Sequence, residues 1–214
     1  HVLFHVPSFE KYGCLSRRNR EEQISGSRVE VAPYKKDPTD FILWKPSSNP
    51  LPGWDTPWGF CRPGWHLECS AMSEKTLGLP FDIHSGGMDL TFPHHENEIA
   101  QSCGAHQNVD NPQSFAKYWF HNGFVIVNGE KMSKSIGNIR LVHDLINNYH
   151  GEVLRLTLLS AHYRQPLNWT VDSINQNNAM LERLYRGVKE LNKIEAGSEE
   201  YGVPDNIMEA LCDD

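Results

Sequence analysis

The 214-residue chain is 39% hydrophobic and 22% charged, the balance of an ordinary globular protein with apolar material for one large domain, or one domain and a piece of another. Its net charge of −7 gives no general attraction to nucleic acid, so such a partner must meet a local basic patch. Five irregularly spaced cysteines, no apolar run of about 20 residues and no leader-like N-terminus point to a cytoplasmic protein, free of membrane, with free or metal-bound thiols.

In chain order, FHV near the start, RVEVA at 28–32 and FILWK at 41–45 are predicted strands. PSSNPLPGWDTPWG follows, and its four prolines and two glycines predict a loop. Pro63 opens a predicted helix, GWHLECSAMSEKTLG, on which Trp65, Cys69 and Met72 share a face and Gly78 is the stop. FDIH at 81–84 is a short strand that runs into SGGMD, LTF and Pro93. HHENEIAQSCG is then a helix ending near Gly104. An irregular stretch to Ser114 leads into FAKYWFHNG, and FVIVN at 124–128 is a strand. Strand, Gly-rich turn and helix in that order predict βα units and a parallel sheet.

After residue 139 the chain turns helical, with LVHDLINNY and EVLRLTLLSAHY joined at Gly151. From Asp172 to about Asn192 an amphipathic helix carries Ile174, Leu181, Leu184, Tyr185, Val188 and Leu191 in one stripe. EAGSEEYGV reads as a linker, and Asp205 as the cap of a last helix bearing Ile207 and Leu211. A lone apolar stripe cannot bury itself, so a helical bundle is expected to begin here.

Two stretches carry chemistry. In FPHHENEIA at 92–100, His94 and Glu98 lie four apart on one helix face, with His95 and Glu96 pointing elsewhere. Cys69 is the natural third member of a zinc site, which needs about four Cys, His or carboxylate ligands. From spacing alone, a surface pair plus a buried core cysteine remains the alternative. GEKMSKSIGN at 129–138 places Lys131, Lys134, Ser133 and Ser135 between Gly129 and Gly137, which let the loop move. Two ammonium groups on one phosphate chain would stabilise charge building on departing pyrophosphate. A solvated basic turn is the plainer alternative.

KMSKS resembles the signature loop of class I aminoacyl-tRNA synthetases. CRPGWHLECSAM at 61–72 and FDIHSGGMDLTFPHHENEIAQS at 81–102 are similar to stretches typical of cysteinyl-tRNA synthetases. So are DPTDFILWK at 37–45, EKMSKSIGN at 130–138 and SAHYRQPLNW at 160–169, and the resemblance runs through nearly the whole chain. It implies an α/β fold, part of a Rossmann-like parallel-sheet catalytic domain followed by helices that start an α-helical bundle. Residues 1–60 would end an inserted connective domain and 61–138 form the second half of the nucleotide-binding domain. Residues 139–171 would be a helical stem-contact region and 172–214 the start of a tRNA-binding bundle.

The resemblance further implies zinc on Cys69, His94 and Glu98, holding the substrate cysteine as its thiolate. Zinc accepts sulfur and stabilises a thiol whose free pKa is about 8.5, whereas shape alone separates near-isosteres by only about 100-fold. Trp65 would wall the amino-acid pocket and Asp89 would meet the substrate ammonium. His84, Gly86 and Gly87 would form the adenosine site, in which Ser85 stands where the family has a third glycine. Lys131, Lys134, Ser133 and Ser135 would bind ATP with its magnesium, the lysines as catalytic groups. L-cysteine, ATP and tRNA(Cys) would be the substrates, with cysteinyl-adenylate between. Arg155, Arg164, Arg183 and Arg186 could supply basic contacts to the tRNA, or simply form a solvated helix face.

The family's HIGH motif has no counterpart here, and a further cysteine ligand expected upstream is matched by neither Cys14 nor Cys61. The sequence therefore reads as the middle of an enzyme that does not activate cysteine by itself. Two rival readings are a ligase joining cysteine to an amino sugar and a non-catalytic synthetase-like fragment. A purely structural zinc module is a third.

Overall fold

The computed structural model describes residues 1–26, 32–191, 193 and 202–213. The predicted strand at 28–32 and most of the predicted linker at 195–203 lie outside them. An antiparallel sheet begins the fold, from β1 (Val2–Phe4), β2 (Phe41–Pro46), β3 (Trp54–Thr56) and β4 (Gly59–Pro63), in the order β1-β2-β4-β3. A short helix, α1 (Arg20–Gly26), precedes β2. The stretch expected as a loop thus contains a hairpin. Pro46 and Pro63 stand at the ends of β2 and β4, and Pro57 is in the turn, where the Thr56 hydroxyl donates to the Gly59 carbonyl at 2.7 Å. Pro63, expected to open the next helix, instead closes β4. Gly64 precedes α2 (Trp65–Leu77).

The parallel sheet is built from crossovers. Strand β5 (Phe81–Gly87) pairs with β6 (Ala116–Asn122) in parallel, and α3 (Glu96–Ala105) forms the connection between them. The turn from Thr91 to His95 delivers the chain into α3, and Phe92 within it is extended. Acidic Glu96 and Glu98 occupy the first turn of α3, where they complement the helix dipole. Next comes β7 (Val125–Val127), which turns back on β8 (Glu130–Lys131). Asn128 and Gly129 both have positive φ in this two-residue connection, as such tight hairpins require. Strand β9 (Leu167–Trp169) runs parallel to β7 after α4 (Val142–Leu145) and α5 (Gly151–Leu159). The long α6 (Val171–Leu191) and short α7 (Asp205–Cys212) follow. Asp205 is the first residue of α7 rather than its cap; Pro204 takes the cap position, and no side chain closes it.

Two cores hold these layers. In one, Ile99, Ala100 and Cys103 of α3 pack with Phe81, Ala116, Phe9 and Phe115. In the other, Val127, Leu167 and Trp169 of the second parallel pair pack with Val153, Leu154 and Ile174. Between them the Gly123 amide donates to the Tyr163 carbonyl at 2.7 Å, and Phe120 stacks on Tyr163 at 4.3 Å. The expected α/β class with parallel strands and following helices is the observed one.

Candidate active site

Helices α2 and α3 lie side by side, tied by a buried hydrogen bond of 2.7 Å from the Ser70 hydroxyl to the Gln101 side-chain oxygen. This packing sets the chemistry of HHENEIA. Eight of the ten residues of α3 are buried, among them Glu96, Asn97, Glu98, Gln101 and Ser102. A helix that polar stays buried only if its side chains are paired.

The pairs form two networks. In the first, His84 of β5 lies 2.6 Å from the Glu98 carboxylate, which can only accept, so Nε2 of His84 donates. His84, His95 and Glu98 bring one ligand atom each to within 4.8 Å of the others. His95 also meets His121 of β6 at 2.8 Å. Burial first, then the neighbouring His84, His121, His94 and His66, press the pKa of His95 down to about 3. His95 was expected to point away from Glu98. It joins instead because positions three apart also share a helix face, and because His84 and His121 approach from the sheet.

In the second network, Nε2 of His66 lies 2.8 Å from Nδ1 of His94. Nδ1 of His66 lies 3.2 Å from Nδ2 of Asn97, and the Tyr12 hydroxyl donates to Oδ1 of Asn97 at 2.5 Å. Burial and then His94 lower the pKa of His66 to about 4, so both rings of the pair need not be charged together.

Of the expected metal ligands, Cys69 on α2 feels the charge of Glu98 on α3. The Cys69 thiol is exposed, and its pKa is raised by desolvation and then by the charge of the nearby Glu98 carboxylate. His94 sits beside this pair but is engaged with His66, and it does not join the three-atom group around Glu98. Trp65 is 74% exposed, with its ring 4.9 Å from that of His94. It stands in the open next to the candidate ligands instead of packing in a core.

The glycines of β5 have a reason inside the protein. A Cβ on Gly86 would lie 2.8 Å from Leu90 and 3.1 Å from the His95 ring, and one on Gly87 would lie 2.6 Å from the Asp89 carboxylate. Both lie in the strand rather than in a turn, opposite His121 and Asn122. Ser85 pairs with Phe120 and is exposed, so its side chain is accommodated.

The lysine loop is ordered from within. Asn138 accepts from the Ser133 amide at 2.9 Å and donates to the Lys131 carbonyl at 3.2 Å, and the two serine hydroxyls are 3.1 Å apart. The Lys131 ammonium lies over the Phe124 ring at 4.3 Å, while Lys134 is exposed. Tyr12, Asn97, His66, His95 and His121 were all missed by sequence reasoning. His95 and Asn97 stand inside the HHENEIA string, and His66 carried a signal as the neighbour of Trp65 one turn ahead of Ser70.

No helix among the described residues is long and apolar enough to cross a membrane. The family described as tRNA synthetases class I (C) catalytic domain matches residues 1–179. Cysteine–tRNA ligase of Parvibaculum lavamentivorans is 58% identical over 214 residues, 100% of this chain and 45% of that protein. The corresponding ligase of Rhodospirillum rubrum is 56% identical, also over 100% of this chain and 45% of the relative. The chain therefore spans about half the length of the curated relatives it matches. Among solved structures, a LeuRS–tRNA–LeuAMS ternary complex from Agrobacterium radiobacter gives a TM-score of 0.47 at 23% identity, over 60% of this chain and 17% of the other. With a family match over most of its length, the chain belongs to the class I tRNA synthetase (C) catalytic-domain family.

Proposed function

We propose that the protein to which this chain belongs is a cytoplasmic cysteine–tRNA ligase that activates L-cysteine with ATP as cysteinyl-adenylate and transfers it to tRNA(Cys). The observation that carries the reading is the placing of Cys69 and buried Glu98 on two helices tied by the Ser70–Gln101 bond, with His94 one turn before Glu98 and exposed Trp65 beside His94. A sulfur, an imidazole and a carboxylate are the donors zinc favours. The Cys69 thiol resists ionisation next to Glu98. A divalent cation held by Cys69, His94 and Glu98 would relieve that repulsion, so the donor set fits the ion. Zinc, when bound, supplies a soft acid for the substrate thiolate and so discriminates against serine.

The remaining groups have positional roles. His84 holds the Glu98 carboxylate from the sheet side and fixes its orientation. Trp65 walls the space over His94. The backbone at Gly86 and Gly87 faces the nucleoside, with His84 at its edge and Asp89 toward the substrate ammonium. Lys134 and Lys131, with Ser133 and Ser135, take the phosphates and their magnesium. Lys131 must leave the Phe124 ring to do so, at a cost of about 0.5–1 kcal/mol at an exposed site. The cysteine carboxylate attacks the α-phosphate, pyrophosphate departs toward the lysines, and the terminal ribose hydroxyl of the tRNA then takes the cysteinyl group. Positioning and charge stabilisation supply most of the rate.

The test is cysteine-dependent exchange of pyrophosphate into ATP by the intact protein, followed by transfer to tRNA or to an amino sugar. Exchange with cysteine and not serine, and transfer to tRNA, is expected. Transfer to the amino sugar alone, or no exchange, would overturn the reading.

A further inference from the structure

Tyr12, Asn97, His66 and His94 form one line of three hydrogen bonds, and the line can run in two directions. In the observed direction Tyr12 donates to Oδ1 of Asn97, and Nδ2 of Asn97 donates to Nδ1 of His66. A neutral His66 then carries its proton on Nε2 and donates to Nδ1 of His94. A neutral His94 must in turn carry its proton on Nε2, which leaves no lone pair there for a metal. Rotating the Asn97 amide by half a turn exchanges its oxygen and nitrogen without moving either neighbour. His66 then donates from Nδ1 to Asn97, His94 donates from Nδ1 to His66, and Nε2 of His94 presents a lone pair. Each ring keeps one proton throughout, so no net proton is taken up or released.

We infer that Tyr12, Asn97 and His66 are positioning residues whose shared hydrogen-bond direction decides whether His94 can ligate a metal. The inference rests on the proposed metal role of His94 and deepens it. Metal-ligating histidines generally donate their second N–H to a partner that fixes the tautomer. Here that partner, His66, has a tautomer fixed in its turn by an amide that can present either face. Asn97 is 2% exposed, so water does not compete for its amide. Tyr12 lies on the segment before α1, far in sequence from both helices, and ties their metal face to the N-terminal region.

The experiment is nitrogen NMR of the histidine rings in the intact protein with and without zinc, paired with zinc affinity by chelator competition. The expected result is that the proton of His66 moves from Nε2 to Nδ1 when zinc binds. Asn97→Leu should weaken zinc binding about 10- to 100-fold. Asn97→Asp, which offers His66 only acceptor oxygens, should bind zinc at least as tightly as the unchanged protein, and Tyr12→Phe should weaken it less than Asn97→Leu. Zinc bound with the same His66 tautomer in both states would overturn the relay and leave the metal reading standing. No zinc bound at all would overturn both. Because the NMR comparison uses the unchanged protein, a variant that fails to fold does not decide the matter.

Discussion

Helices α3 and α6 invert each other. α3 reads ENEIAQSCGA, with five polar or charged side chains among its eight buried positions. α6 has the clean apolar stripe of an amphipathic helix, yet only its beginning is covered. Ile174 is buried and Leu181 half-buried, while Leu184, Tyr185, Val188 and Leu191 are 51–65% exposed. Periodicity reports the width of an apolar stripe. It does not report what a polar face can find to bond with, or whether a surface stands opposite the stripe. For α3 the partners come from β5, α2, β6 and the segment around residues 12–16, all distant in sequence.

The largest effect of a single substitution should come from emptying the most buried polar position of α3. Glu96 is 0% exposed and accepts from the Ser16 amide at 2.9 Å and the Leu15 amide at 3.4 Å. Glu96→Ala leaves both half-buried donors without their acceptor and should cost about 3 kcal/mol, read as a drop in the urea midpoint at constant m. A loss under about 0.5 kcal/mol would mean that α3 is held by its apolar residues alone, and the comparison would lose its point.

That residue also marks what the sequence concealed. The stripe of α6, the FILWK strand and the class of fold were legible because they are local, or because motif strings carried them. Glu96 was not, since its partners are the backbone amides of Leu15 and Ser16, eighty residues away, which no spacing rule reaches. The hairpin from Trp54 to Pro63 was hidden for the opposite reason. Its prolines signalled a loop locally, while cross-strand pairing with β2 overrode the signal. The His95–His121 contact depends on parallel register, which sequence order does not give.

The next effect separates the two helices by pH. The pKa values of His66 and His95 are lowered, mainly by burial, to about 4 and 3. Between the ordinary value of 6.5 and those values the unfolded chain binds more protons than the folded one, so stability is lost as pH falls through that window. The metal-free chain should lose about 2 kcal/mol for each of the two histidines between pH 7 and pH 5, and His66→Asn should remove about half of the slope. A flat profile over that interval would show that these histidines are not held neutral beside α3. The same scan on α6 variants should reproduce the parent slope, because none of the exposed stripe residues titrates between pH 7 and pH 5; Tyr185, the titratable one, is raised above its ordinary value of 10.0.

Ser70→Ala is smaller. It removes the 2.7 Å bond to Gln101 between α2 and α3, both residues being buried, and leaves Gln101 with another unpaired atom beside its already unpartnered Nε2. About 1 kcal/mol is expected. Cysteine-dependent pyrophosphate exchange should also weaken if this bond sets the spacing between Cys69 and Glu98. Equal stability of variant and parent would place the helix contact elsewhere.

The smallest effect is the sharpest test of the inversion. Val188 on α6 is 51% exposed, so Val188→Lys exchanges one solvated side chain for another and slightly favours the helix, since lysine loses less rotamer freedom there than a β-branched residue. In the 214-residue chain the change in stability should stay within about 0.5 kcal/mol. Ile174 on the same helix is 2% exposed and packs against Trp169 and Val153, so Ile174→Val should by itself cost about 1 kcal/mol through lost methylene burial. A stripe that behaves as core at one end and as surface at the other is one element with two environments. If Val188→Lys instead costs as much as Ile174→Val in the same chain, the far end of α6 is covered in solution. The contrast with α3 would then narrow to its buried polar face alone.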